Sequence, residues 1–274
     1  VCMHHDQGAL GAASNYYAVE RQMRIMKEMG ANAIRVSHNP ASEKLLEICD
    51  KLGLLVINEA FDTWTNPKNG NVNDFSKYFR ESIDEDNKII NGNSNMTWGE
   101  FEARTMVKSS KNSPSVIMWS IGNEVLEGIG GNSSDYTDIA QDIITWIKSE
   151  DSTRPVTIGD NRTKNGDSNA NAISEVVNKN DGIVGFNYAN ENQFNTQRNN
   201  HPDWILYGSE TSSAVHSRGY YKTKGIDHAN NQISEYDNDS TKVGWGHSAS
   251  NAWKYTIKND YNAGEFVWTD RKSV

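Results

Sequence analysis

The chain of 274 residues has only two cysteines, Cys2 and Cys49, too few for a disulfide framework or a cysteine zinc site. Cys49 falls in the apolar stripe of a predicted helix and reads as a buried free thiol. No run approaches the roughly 18 consecutive apolar residues that a membrane span needs. The chain does not open on a basic region followed by an apolar one, so no signal peptide is visible; the compartment stays open, because the chain reads as a piece of something longer. Positive charge is short, with 27 Lys and Arg against 36 Asp and Glu and a formal net charge of −9. That balance argues against a nucleic-acid groove or an anionic membrane surface as the main partner. The glycine-rich piece at 128–131 lacks the Lys-Ser/Thr of a phosphate loop, and no nicotinamide or flavin signature is visible. What is present is a hydrophobic fraction of 36%, 9% aromatics and eight Trp, too apolar for a disordered chain.

Short apolar runs rich in Val and Ile alternate with amphipathic stretches. The runs at 1–4, 33–37, 54–58, 116–121, 156–159, 182–187, 205–208 and 265–268 read as strands. They do not clearly alternate polar with apolar, as expected of parallel strands buried on both faces. Helical patterns lie at 17–29, 43–52, 98–108, 136–148, 173–178 and 252–258, with a weaker one at 190–200. Polar insertions at 66–95 and 211–251 follow the third and seventh strands. Eight strands alternating with helices predict an α/β chain folded as a (β/α)₈ barrel in a single domain, 1–274, although an open doubly wound sheet gives a similar pattern. After the eighth strand the remaining residues are too few for a closing helix. The expectation is a barrel that lacks its last helix, cut from a larger multidomain enzyme.

In such a barrel the chemistry sits at the carboxyl ends of the strands. The polar residues there are His4, His5 and Asp6 after the first strand, Arg35, Ser37, His38 and Asn39 at the second, and Asn58, Glu59, Asp62 and Trp64 at the third. Asn123 and Glu124 follow the fourth, Asn187 and Tyr188 the sixth, Ser209 and Glu210 the seventh, Trp268 and Asp270 the eighth. Each alone also reads as a helix cap or a rim hydrogen bond. Strands four and seven lie nearly opposite in an eight-stranded barrel, so Glu124 and Glu210 face one another. Facing carboxylates are what glycosidic cleavage needs, one as proton donor and the other as nucleophile or base. The alternative is two rim carboxylates paired with Arg35 or lysines. The adjacent His4 and His5 point to opposite faces of a strand, which disfavours a metal site and leaves His4 and His38 as donors to a substrate hydroxyl, or as rim histidines. Trp64, Trp245 and Trp268 fit a sugar-stacking pocket; Trp119 reads as core, and Trp146 and Trp253 as packed against the barrel.

Five stretches carry a resemblance: Val1-Cys-Met-His-His-Asp6, Ala33-Ile-Arg-Val-Ser-His-Asn-Pro40, Val56-Ile-Asn-Glu-Ala60, Val116-Ile-Met-Trp-Ser-Ile-Gly-Asn-Glu124 and Tyr207-Gly-Ser-Glu-Thr-Ser-Ser213. Together they resemble the catalytic barrel of glycoside hydrolase family 2, over essentially the whole chain. The resemblance implies Glu124 as general acid/base and Glu210 as nucleophile. It also implies Asn123 at the sugar 2-hydroxyl, Tyr188 orienting the nucleophile, His4 and His38 contacting the sugar, Trp268 as pocket floor and Arg35 supporting the nucleophile. The segments Ala60-Phe-Asp-Thr-Trp64 and 210–219 look most like the β-galactosidases of multidomain bacterial enzymes. The Asn-x-Lys pattern of β-glucuronidases falls after strand eight, where this chain has almost ended. Magnesium-binding β-galactosidases carry Glu and His after strand three, where this chain has Asp62, Thr63 and Trp64. No metal and no cofactor are therefore implied. The expected function is a retaining exo-acting β-galactosidase acting on a carbohydrate, with a β-sandwich elsewhere in the parent chain. The alternatives are another β-glycosidase of the family, such as a β-glucuronidase, or a barrel inactive by itself.

Overall fold

In the computed structural model the predicted runs form one parallel sheet in sequence order. The structure describes residues 1–5, 7–83, 96–127, 135–213, 226–227, 232–233 and 245–268. The strands are β1 (Cys2–Met3), β2 (Ala33–Val36), β3 (Leu55–Glu59), β4 (Val116–Asn123), β5 (Val156–Asp160), β6 (Ile183–Asn187), β7 (Leu206–Ser212) and β8 (Asn262–Trp268), each paired in parallel with the next. Among the described residues one helix of ten or more residues follows each of the first seven strands: α1 (Tyr16–Glu28), α2 (Glu43–Leu52), α3 (Trp98–Ser110), α4 (Tyr136–Glu150), α5 (Ser168–Lys179), α6 (Glu191–Asn200) and α7 (Ala249–Lys258). This is the expected barrel; residues 269–274, on which the expectation of a missing closing helix falls, lie outside the described residues. Among the described residues no backbone ladder joins β8 to β1; the thiol of Cys2 reaches across to the carbonyls of Ser209, at 3.4 Å, and Phe266, at 3.8 Å.

The helices form where apolar residues recur on one face and capping groups frame them. Ser42 caps α2 at Leu45, Gly53 closes it in the left-handed conformation, and Leu45, Leu46, Ile48 and Cys49 are buried beneath. Helix α6 is firmer than its polar sequence predicts: Asn190 and Gln193 form a reciprocal capping box, and Phe194 anchors it to the core. Strands β7 and β8 are longer than predicted, and Glu210 lies within β7 rather than after it. Parts of the two polar insertions, 84–95, 214–225, 228–231 and 234–244, lie outside the described residues.

The barrel interior is layered. Cys2, Ile57, Met118, Tyr207 and Phe266 form its apolar base. Two residues further along their strands, and so on the same face, stand Glu59, Ser120 and Ser209, all fully buried. Strict alternation would carry that face on to residue 122 in β4 and 211 in β7. Each strand instead holds one extra residue. Against β5, Ser120 pairs with Thr157 but Asn123 with Gly159; against β6, Gly208 pairs with Phe186 but Glu210 with Asn187. These bulges re-aim the side chains. Asn123 and Glu210 therefore enter the polar layer.

Candidate active site

Arg35 organises that layer. Fully buried, it donates to Glu59 Oε2 from Nε (3.0 Å) and Nη2 (2.6 Å), to Glu210 Oε1 from Nη1 (2.7 Å) and to Asn123 Oδ1 from Nη2 (3.0 Å). Burial by itself would raise the pKa of Glu59, but the Arg35 charge and hydrogen bonds from His38 and Ser120 hold it down at about 2. Glu59 in turn fixes His38, whose Nδ1 lies 2.6 Å from Oε1. His38 Nε2 is left toward Asn123 Nδ2, at 3.4 Å, and Glu210, at 3.6 Å.

Glu210 is gripped at both oxygens, by Arg35 at Oε1 and by the Tyr188 hydroxyl at Oε2 (2.6 Å). The backbone repeats the coupling, Tyr188 N–H donating to Glu210 O at 2.6 Å. Glu124 accepts from Asn187 Nδ2 at 2.7 Å. Burial first, and the Glu210 charge second, push the Glu124 carboxyl up to about 8, against the opposing Asn187 hydrogen bond. One carboxyl thus holds a proton at neutral pH beside another gripped by a guanidinium, the division of labour that acid-assisted displacement requires.

Both Glu124, at φ 44°, and Tyr188, at φ 57°, take the left-handed backbone that L residues seldom adopt. A lysine steadies each turn. Lys68 donates to Asn123 O at 3.0 Å and to Asp62 Oδ1 at 2.6 Å. Lys164 donates to Asn187 O at 2.7 Å and Tyr188 O at 2.9 Å, and burial pushes it down to about 8. Among the described residues no group of three or more His, Cys, Asp or Glu is placed together as a metal site.

A cavity of about 920 Å³ opens at this end of the barrel. His4, His38, Asn123, Tyr188 and Trp268 line it with the two glutamates, and Arg35 lies beneath. Trp268 stacks on His38 at 5.4 Å and meets the edge of His4 at 4.8 Å. All eight residues expected at the site are therefore brought together. Of the other readings, His5 turns away to Pro40 O at 3.1 Å, as alternation requires, while Asp6 and Asp270 lie outside the described residues. Trp64 is a correction: it is fully buried, its indole donating to Ile121 O at 2.9 Å, and is core rather than sugar platform. Trp245 lines the cavity against Tyr188 at 4.5 Å, and Trp119 is core. Trp253 is also a correction, 54% exposed instead of packed on the barrel. Sequence reasoning placed Glu59 and Asn187 at strand ends without a role, and passed over Lys68, Lys164 and Glu127, which loops deliver.

A parallel eight-stranded barrel with two carboxyls in unlike surroundings at its carboxyl-terminal mouth defines a barrel of the glycosidase class. The family described as "Glycosyl hydrolases family 2, TIM barrel domain" matches residues 1–224. β-Galactosidase BoGH2A of Bacteroides ovatus is 34% identical across 98% of this chain and 33% of its own, and a β-glucuronidase of Bacteroides fragilis 26% identical across 98% and 35%. A crystal structure of a β-glycosidase from Bacteroides vulgatus superposes with a TM-score of 0.72 at 27% identity, covering 98% of this chain and 33% of that one. The chain belongs to glycoside hydrolase family 2. It spans about a third of the length of these relatives.

Proposed function

We propose that this barrel is the catalytic domain of a retaining exo-β-galactosidase, within a multidomain protein that also carries a β-sandwich. The observation that carries the reading is the unequal pair: Glu210 held by Arg35 and Tyr188, Glu124 protonated up to about 8. Glu210 attacks the anomeric carbon while Glu124 gives its proton to the glycosidic oxygen, and the C1–O bond breaks to release the aglycone. The covalent glycosyl-enzyme no longer carries the Glu210 charge, so the Glu124 pKa falls and it takes a proton from the water that attacks C1, restoring Glu210. Asn123 faces the 2-hydroxyl, His4 and His38 the other hydroxyls, and Trp268 the apolar face of the ring. Among the described residues the two lysines lining the cavity are engaged, Lys68 with Asp62 and Lys164 with two backbone carbonyls, which fits a neutral sugar. The similarity to a β-galactosidase at 34% identity points the same way.

The test is hydrolysis of aryl β-galactoside, β-glucuronide, β-glucoside and β-mannoside by the full-length protein and by Glu210→Gln. Turnover of the galactoside that vanishes in the variant is the expected result. Preference for the glucuronide would overturn the sugar, and unchanged rates in the variant would overturn the nucleophile.

A further inference from the structure

The leaving group departs on the side of Glu124, because the acid must lie within hydrogen-bond reach of the glycosidic oxygen. What borders Glu124 there is another carboxylate. Glu127 stands three residues on, in a turn where its N–H donates to Glu124 O at 3.0 Å. Its Oε1 accepts from Asn161 Nδ2 at 2.8 Å and its Oε2 from Asn69 Nδ2 at 3.2 Å. One side chain thus joins the loops after β3, β4 and β5, and all three residues line the cavity. From the loops after β5 and β6 the lining continues in amides, with Gln193 donating to Asn165 Oδ1 at 2.7 Å and capping Asn190. The cavity is larger than one sugar ring.

We infer that Glu127, clamped by Asn69 and Asn161, is the specificity-determining residue of a leaving-group subsite built for a sugar. This rests on the glycosidase reading above. An ionised carboxylate offers about four acceptor positions, of which the two amides use two, so each oxygen retains a position for a hydroxyl donor. Neighbouring hydroxyls of a pyranose supply such donors. An aryl or alkyl leaving group supplies none and would strip water from a carboxylate without replacing it, a large penalty for the wrong ligand.

The experiment uses full-length protein, Glu127→Gln and Glu127→Ala, with three β-galactosides: a disaccharide with glucose as leaving group, a methoxyphenyl and a nitrophenyl galactoside. The methoxyphenyl compound needs proton donation from Glu124 but brings no hydroxyls, which separates recognition of the sugar from any effect on the acid. The readout is the ratio of kcat/KM for the disaccharide to that for the methoxyphenyl galactoside, which does not depend on the folded fraction. A fall of at least tenfold in both variants is expected. A ratio within twofold of the unsubstituted protein overturns the inference, whatever the absolute rates, and equal losses on the two substrates would assign Glu127 to the acid instead. Failure of the unsubstituted protein on both aryl galactosides would overturn the β-galactosidase reading above, and this inference with it.

Discussion

At the scale of single residues, the buried ion pairs set the most direct consequences. Glu59→Gln leaves Arg35 without its main counter-charge in the barrel interior, and breaking such a pair costs about 3–5 kcal/mol. The Glu59 pKa is lowered from 4.5 to about 2, so its contribution is complete above pH 4.5 and lost as the pH falls toward 2. The gap in denaturant stability between the unsubstituted protein and Glu59→Gln should therefore be wide at pH 7 and shrink at pH 3. Glu124 runs the other way. Its pKa is raised from 4.5 to about 8, so the unfolded chain releases a proton that the folded one keeps, and stability falls as pH rises through that window. Glu124→Gln should gain Tm over the unsubstituted protein between pH 5 and 8. In the proposed reaction kcat/KM falls above pH 8 as the acid ionises. Glu124→Ala should lose most activity on methoxyphenyl glycosides, less on nitrophenyl ones, and yield β-glycosyl azide when azide is supplied. Equal losses on the two substrates would contradict the acid role.

Elements determine whether these side chains meet. Gly159 of β5 faces Arg35, and a Cβ there would lie 2.7 Å from Nη2 and 3.2 Å from Cζ. Gly159→Ala should push Nη2 off Glu59 and Asn123, shift with it the guanidinium that holds Glu210, and lower kcat about a hundredfold, the scale of an ångström's misplacement. A native circular dichroism spectrum, measured alongside, separates this loss from loss of the fold, while Tm should fall as it does for Glu59→Gln, because the same buried ion pair is disturbed. The barrel and the carboxyl ends of its strands were legible because Val- and Ile-rich runs ending in polar residues mark parallel strands. That pattern pointed to Glu124, Glu210, His4, His38 and Trp268, while the family resemblance picked Arg35, Asn123 and Tyr188 from the other strand-end residues. The extra residues in β4 and β7 were not legible, since nothing in Ser-Ile-Gly-Asn or Gly-Ser-Glu announces a bulge. Alternation alone would have turned Asn123 and Glu210 outward. Trp64 misled because an aromatic after a strand reads equally as platform or core. Lys68, Lys164 and Glu127 escaped because their place depends on how long loops fold back over the sheet.

For the whole molecule, the seam between β8 and β1 matters most. The helices flanking it, α1 and α7, expose Tyr17 (78%), Trp253 (54%) and Ile257 (61%). Exposed apolar side chains on the helices beside an unladdered seam favour association. The chain of 274 residues should therefore bind an apolar dye and elute larger than a monomer, and Trp253→Ser with Ile257→Ser should reduce both. A dye-silent monomer would show that the seam is not adhesive.

The thiol that crosses this seam has a use of its own. Burial pushes Cys2 up to about 12, and Cys49, on the buried face of α2, is likewise pushed up to about 12. Neither reacts with an alkylating reagent until its surroundings open. Labelling Cys2 then reports separation of the first and last strands, and labelling Cys49 reports loosening of the helical shell. If Cys2 labels faster under mild denaturant, the barrel unzips at its joint before it melts; if the two label together, it opens as one cooperative unit.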